Sequence, residues 1–473
     1  MNVLFLAAEA SPLSKVGGLG DVAGELPHAL RRLGLDVRSA LPLHASTDTR
    51  GLAVERTLRL SIPRGGAMVP AAVHLARLGD LPLWLVDSEE IRAAPSVYSH
   101  PAQDGEKYTL FCRAVLSACE ALGWIPDILH ANDWHTAPAV VWSRHLRSAS
   151  PAWAGSHSVL TIHNLAYMGA GSEAALEAYS LPKPQVDGLP AWAQRMPLPL
   201  GVVAADGVTT VSPSYAAEIR TPELGCGLEG VLAALGDRLQ GILNGIDPQV
   251  WNPATDAALP RRFSAASLAG RTHNKRELQR ELGLPQKADV PLMAMVTRMD
   301  FQKGVDLALE ALPALLDLPW QFVLLGTGEE TLEVGSLALA AAHPDRVRAV
   351  HRFDAALARR IYAASDITLV PSRFEPCGLT QLIAMRYGSI PVVRATGGLR
   401  DSVAPVAGNQ GTGFLFEAAE RGALQDAVRQ AIAAYGNPVA WRGLRQRAMA
   451  QDFAWDRSAS AYWDFYRRIA GVP

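Results

Sequence analysis

Cysteine is scarce in this chain, with four residues in 473, Cys112, Cys119, Cys226 and Cys377, and no CxxC pair among them. That pattern excludes a disulfide framework and a paired-cysteine zinc site, and it fits a reducing cytoplasm. Long apolar runs are missing too: none approaches the roughly 18 residues that a spanning helix requires, so no transmembrane segment is predicted. The apolar opening MNVLFLAAEA lacks a basic leader and soon meets Glu9, so it reads as a buried first strand and not as a secretory signal. Neither charge sign is in excess. The formal net charge of −2 does not suggest a nucleic-acid partner. No internal repeat of short period is present.

What remains is an ordinary globular composition, 49% hydrophobic and 19% charged, on a length that favours two or three domains. Short apolar runs at 3–8, 128–131, 159–162, 207–211, 292–296, 322–325 and 367–370 are strand candidates. Between them, stretches such as 19–33, 108–122 and 379–387 space their apolar residues three and four apart, the pattern of sheet-packing helices. Strands alternating with helices predict an α/β, doubly wound architecture. One open sheet would need too many strands. The turn-rich Asn244-Gly245-Ile246-Asp247-Pro248, followed by Trp251-Asn252-Pro253, therefore divides the chain into domains 1–247 and 248–473. The segment 453–469 carries Phe453, Trp455, Tyr462, Trp463, Phe465 and Tyr466, a density of rings that predicts docking against a domain, back on the N-terminal one.

Several polar motifs sit at predicted strand ends. The first is Lys15-Val16-Gly17-Gly18-Leu19-Gly20-Asp21-Val22, between the first strand and a helix. Its glycines allow backbone N–H groups to approach an anion at a helix start, with Lys15 as a mobile charge. The spacing is not GxGxxG, and a tight turn with an exposed lysine explains the same residues equally well. The second, His130-Ala131-Asn132-Asp133-Trp134-His135, tempts a metal reading, but a strand end does not put His130 and His135 on one face; hydrogen-bonded histidines and a sugar-binding carboxylate are the better reading. His163, in Thr161-Ile162-His163-Asn164, taken alone is more often a satisfied core histidine than a catalytic one.

The second half carries the stronger electrostatic pattern. Arg298 and Lys303 flank a loop after the strand at 292–296, at the sheet edge where open α/β folds bind ligands. Pro371-Ser372-Arg373-Phe374-Glu375-Pro376-Cys377-Gly378-Leu379-Thr380 runs from a strand into a helix. There Glu375 is placed to bind sugar hydroxyls, and the N–H groups of Gly378, Leu379 and Thr380 to face a phosphate or sugar. Glu375 has no second carboxylate at a hydrolase spacing, and Cys377 has no evident partner base. Gly397-Gly398-Leu399-Arg400-Asp401 repeats the strand, Gly turn, helix pattern. Motifs from both halves at strand C-termini predict two sheets facing one another across a cleft that suits a nucleotide sugar.

KVGGLGDV, HANDWHTA, TIHNLAYMG, TTVSPSYAAEI, ILNGID, TRMDFQKG, PSRFEPCGLTQL and ATGGLRDSV occur in an order and spacing that resembles bacterial glycogen synthases and plant starch synthases, from residue 2 to about 465. The resemblance implies a GT-B fold, two Rossmann-like doubly wound domains facing a central cleft. It implies a retaining hexosyltransferase that moves glucose from ADP-glucose to the non-reducing end of an α-1,4-glucan such as glycogen and releases ADP, in the cytoplasm, with no metal and no cofactor. By the same resemblance His163, Arg298, Lys303, Glu375 and Asp133 are the catalytic residues. Lys15, Gly17, Gly18, Asp21, Cys377, Gly378, Leu379 and Thr380 bind the nucleotide sugar, and no enzyme nucleophile is expected. Two departures from the family pattern stand out: Arg195-Met196-Pro197-Leu198-Pro199-Leu200-Gly201 where an Asn-Phe-Leu-Lys-like stretch is common, and Val16 where threonine is common. Three rivals remain open from the residues: a UDP-glucose or small α-glucoside transferase, an inactive glucan-binding protein, and a phosphorylase requiring pyridoxal phosphate.

Overall fold

Strand β1 (Asn2–Leu6) shows why the apolar runs are continuous. Val3 and Phe5 pack into one hydrophobic cluster while Leu4 and Leu6 pack into another, so both faces of the strand are covered. The computed structural model describes residues 1–183 and 188–472. Among these, the chain divides into two compact units, Met1–Gly245 with Trp455–Pro473, and Ile246–Ala454.

The first unit is built on a nine-stranded sheet: β1, β2 (Asp36–Pro42), β3 (Val54–Arg64), β4 (Ala67–Leu78), β5 (Leu81–Asp87), β6 (Ile128–Asn132), β7 (His157–Ile162), β8 (Gly207–Thr210) and β9 (Leu239–Gly241). Their order is β3-β4-β5-β2-β1-β6-β7-β8-β9, and every pairing is parallel except those of β4. The second unit holds β10 (Leu292–Val296), β11 (Gln321–Leu325), β12 (Val347–Val350), β13 (Ile367–Val370), β14 (Ile390–Arg394) and β15 (Phe414–Phe416) in the all-parallel order β12-β11-β10-β13-β14-β15.

Helix Trp455–Ala470 belongs to the first unit. Its Trp455, Tyr462, Phe465 and Tyr466 are buried with Val3, Phe5 and Val159. Gly207 opens β8 because a Cβ there would lie 2.7 Å from the Phe465 ring. The Tyr466 hydroxyl is 2.5 Å from His130 Nδ1, and His130 Nε2 is 2.6 Å from Thr161 Oγ1. Burial drives the His130 imidazole down to about 3, so it is neutral and serves the core.

The departure at 195–201 forms helix Pro197–Ala204, with Pro197 at its first turn and every residue buried. Gly201 lets it close on its neighbour, since a Cβ would sit 2.7 Å from the Ala137 methyl. No helix among the described residues is long and apolar enough to cross a membrane.

Candidate active site

Among the parallel strands of each sheet the chain order reverses at one place, and the loops leaving that edge hold the candidate residues. In the first unit the reversal lies between β1 and β6. β1 leads to the Lys15 loop, β6 ends at Asn132 before Asp133, and the neighbouring β7 ends before His163. In the second unit the reversal lies between β10 and β13, which lead to the Arg298–Lys303 loop and to the Glu375 loop.

Glu9, which the motif reading passed over, organises the first edge. It is 1% exposed, and its carboxylate accepts the N–H groups of Val16 and Gly17, the latter at 3.1 and 3.2 Å, and the Tyr98 hydroxyl at 2.9 Å. Burial pushes this carboxyl up while those donors pull it down. These glycine-loop amides thus hold an internal carboxylate: a buried carboxylate demands donors, and the nearest amides supply them. Gly17 is the N-cap of helix Gly18–Arg32, and Gly18 is exposed. Lys15 Nζ pairs with Asp21 Oδ1 at 2.6 Å on the partly exposed rim. Val16 turns its side chain to solvent, 58% exposed, so only its backbone is used. A lone acid at the end of an apolar strand was the available signal for Glu9.

Asp133 holds a left-handed backbone, φ 57°, and accepts the His163 N–H at 2.7 Å. His163 Nε2 lies 2.9 Å from Asn132 Oδ1, and the Asn132 amide donates to Leu6 O at 2.8 Å. That second bond orients the amide, so His163 carries its proton on Nε2 and leaves Nδ1 as an acceptor. Burial lowers His163 to about 3, which keeps it neutral. Asp133 thus positions the His163 backbone. His135 lies among rings, 4.1 Å from Trp134 and 4.6 Å from Tyr108, so His130 and His135 do not converge on one point.

Burial pushes the Asp133 carboxyl from the usual 3.8 up to about 7, against its amide donors. The unfolded chain ionises near 4 and the folded chain near 7, so the folded state holds the extra proton. Stability from this group is full below about 4 and is lost as pH rises to about 7, by a few kcal/mol at about 1.4 per unit. Asn at 133 does not titrate, accepts the same N–H and tolerates the positive φ. Asp133→Asn is expected to melt above the wild type at pH 8 and level with it at pH 4; an equal shift at both would contradict this origin.

The second edge brings residues 72 positions apart into contact. Lys303 Nζ donates to both oxygens of Glu375, at 2.8 and 2.7 Å, and Ser372 Oγ donates to Oε2 at 2.8 Å. Glu375 is 5% exposed, and Thr297, Lys303, Ser372, Glu375 and Thr380 line a cavity of about 10 Å³, the size of one water. Arg298 lies outside, 58% exposed by its side chain, with Nη1 3.3 Å from Asp300. Arg373 locks the loop by pairing with Asp306 at 2.6 Å and stacking 3.6 Å over Phe301. Phe353, just past β12, is 90% exposed and offers a bare ring at the same strand ends.

Glycines allow these loops to meet. A Cβ at Gly304 would lie 2.1 Å from Pro371 O, and one at Gly326 1.8 Å from Thr297 O. Gly397 and Gly398 are as tight against Glu375 O and Cys377 O, at 2.0 and 2.1 Å, and Gly398 N–H donates to Glu375 O at 3.0 Å. The backbone at Cys377 and Gly378 is held by Gln381, whose amide reaches both carbonyls at 3.1 and 2.9 Å. Gly378 has φ 73°, Leu379 is the N-cap, and Thr380 opens helix Thr380–Arg386. Gly398→Ala is expected to push the Glu375 loop aside, costing about 1–3 kcal/mol and most of the activity. A thermal melt and a transferase assay check this, and an unchanged assay would contradict it.

Residues 2–234 match the family described as starch synthase catalytic domain, and 274–442 match glycosyl transferases group 1. Glycogen synthase 2 of Geobacter sulfurreducens is 41% identical over 99% of both chains. The glycogen synthase of Anaeromyxobacter sp. (strain Fw109-5) is 44% identical over 99% of this chain and all of that protein. Among solved structures, the catalytic domain of starch synthase IV from Arabidopsis thaliana bound to ADP and acarbose aligns with a TM-score of 0.91 at 34% identity, covering 99% of each chain. Sucrose-phosphate synthase from Thermosynechococcus elongatus, with a TM-score of 0.63 at 20% identity, shares the fold. With two doubly wound α/β units of the GT-B type and full-length similarity to these enzymes, this chain belongs to the glycogen and starch synthase family of hexosyltransferases.

Proposed function

We propose that this glycogen synthase takes glucose from ADP-glucose, adds it with retention to the non-reducing end of an α-1,4-glucan and releases ADP, in the cytoplasm. The observation that carries the reading is the Lys303–Glu375–Ser372 cluster at the switch-point edge of the second sheet, with Arg298 beside it. As the glycosidic bond breaks, negative charge grows on the β-phosphate oxygen. Lys303 and Arg298, with the N–H groups near Gly378 and Thr380, stabilise that charge in place. Glu375 holds Lys303 in position and binds glucose hydroxyls. Neutral His163 offers Nδ1 to the sugar near its 6-hydroxyl, while Lys15, set against Asp21, meets the donor or the glucan end.

The leaving phosphate takes the proton of the incoming 4-hydroxyl on the same face, so the anomeric configuration is kept without an enzyme nucleophile. Starch synthase IV, so similar along its length, is described as bound to ADP and acarbose, which supports an adenine-nucleotide donor. The test is release of nucleoside diphosphate from ADP-glucose and from UDP-glucose, each with and without glycogen. Glycogen-dependent release from ADP-glucose well above UDP-glucose is expected. Preference for UDP-glucose would overturn the donor, and glycogen binding without release from either would leave a glucan-binding protein.

A further inference from the structure

Lys107 is 0% exposed, on helix Pro101–Leu122, and no step above uses it. Lysine is almost never fully buried, because stripping water from an ammonium costs several kcal/mol unless every proton finds an acceptor. Here all three do. Nζ lies 2.8 Å from Asp104 Oδ1 and donates to Val97 O at 2.7 Å and to Ser96 O at 3.2 Å. Asp104 spends its other oxygen on the Ser99 N–H at 2.8 Å, and the Tyr108 hydroxyl also reaches Val97 O, at 2.6 Å. The helix therefore grips the chain at 96, 97 and 99, on both sides of Tyr98. Tyr98 is the residue whose hydroxyl donates to Glu9, and Glu9 holds the backbone of Val16 and Gly17 next to Lys15.

We propose that Lys107, with Asp104, is a positioning residue of the transferase: it fixes Tyr98 against Glu9 and so sets the Lys15 loop. This rests on the reading that the Lys15 loop serves the donor or the glucan end. A purely structural ion pair would explain the burial equally well, but it would not bond the backbone on either side of the one tyrosine that reaches the loop. The path is a chain of hydrogen bonds, so its members act as a unit and their effects do not add.

The test is a double-mutant cycle on the full chain between Lys107→Met/Asp104→Asn and Tyr98→Phe. Removing both charges together leaves no orphaned ion, and the Asn oxygen still accepts the Ser99 N–H. The pair variant is expected to melt near the wild type and to lose about 10- to 100-fold in kcat/KM, the range for a small misplacement of a positioning group. Adding Tyr98→Phe to it is expected to cost much less than adding Tyr98→Phe to the wild type. Independent, multiplying losses would overturn the proposal, as would full activity in the pair variant. If the pair variant fails to fold, Tyr108→Phe removes a grip on the same Val97 carbonyl without touching a charge, and the same cycle with Tyr98→Phe is read: non-additive losses support the role and multiplying ones overturn it. Absence of transfer by the wild type would instead count against the underlying reading of the enzyme.

Discussion

Lys303→Ala is expected to lower kcat about 100- to 1000-fold, the usual loss when one fixed group that stabilises developing negative charge is removed from a preorganised site. The variant is also expected to melt lower, and the reason separates folding from chemistry. Lys303 donates to both oxygens of Glu375, which is 5% exposed. Taking the cation away leaves a nearly buried carboxylate with Ser372 as its remaining side-chain donor, and an orphaned charge of that kind costs about 3–5 kcal/mol. Lys303→Ala/Glu375→Gln removes the orphan. The double variant should regain most of the lost melting temperature and none of the lost activity. If activity returned along with stability, Lys303 would be a structural partner of Glu375 and the phosphate role would be wrong.

Glu375→Gln alone carries the second large effect. The amide keeps the shape, and its oxygen in the Oε2 place still accepts the Ser372 hydroxyl and one Lys303 proton, while its NH2 group faces the ammonium where Oε1 stood, so the melt should fall, by less than in Lys303→Ala. Its neutral oxygen holds neither the ammonium nor sugar hydroxyls with a charged group's strength, and hydrogen bonds to an ion are worth roughly twice neutral ones. The expectation is a loss of about 100-fold in kcat with a smaller change in donor KM, because a group that aims another acts mainly in the transition state. A rise in KM at constant kcat would reduce Glu375 to a binding contact. Lys303 and Glu375 form one unit, so their combined loss should fall short of the product of the single ones.

The parts of the fold readable in the sequence are those whose side chains leave no choice. β1, β6, β7, β10, β11 and β13 are covered on both faces, so apolar residues dominate them, broken by a few buried polar ones such as His130, Thr161 and Thr368, and the runs stand out. β3 and β4 do not stand out, since most of β3 is exposed and only Leu58 and Ile62, with half-buried Leu60, reach the core among its residues. β12 and β15 are four and three residues long, too short for a periodicity. The site divides in the same way. Strand-end motifs marked the loops carrying His163, Lys303 and Glu375, because ligands gather at that edge. Contacts made by folding were illegible: nothing in the chain says that Lys303 meets Glu375, that Asp133 spends its carboxylate on the His163 backbone, or that Glu9 fills the amides of the glycine loop. Local pattern carries local structure, and a buried ion pair is a property of the packed whole.

The glycines divide too. Gly17 and Gly18 looked like the reason for the first motif, yet Cβ atoms there would meet one carboxylate oxygen at 3.5 Å and open space respectively. Gly20 and Gly24 carry the close approach: a Cβ at 20 would press Lys15 and Glu9 at 3.0 and 3.2 Å, and one at 24 would press Ser11 O at 2.6 Å. The helix thus lies tight against the loop that bears Lys15, which keeps that lysine beside Asp21.

On the proposed mechanism, fixed cations of the second unit, Lys303 above all, carry the charge that leaves with the diphosphate. That role is tested most directly by glycogen-dependent ADP release from ADP-glucose, measured for the wild type and for Lys303→Ala/Glu375→Gln with a strong chelator present. Full release by the wild type under chelation and a loss of at least about 100-fold in the folded double variant are expected. Abolition of wild-type release by the chelator, or near-normal release by the variant, would contradict it.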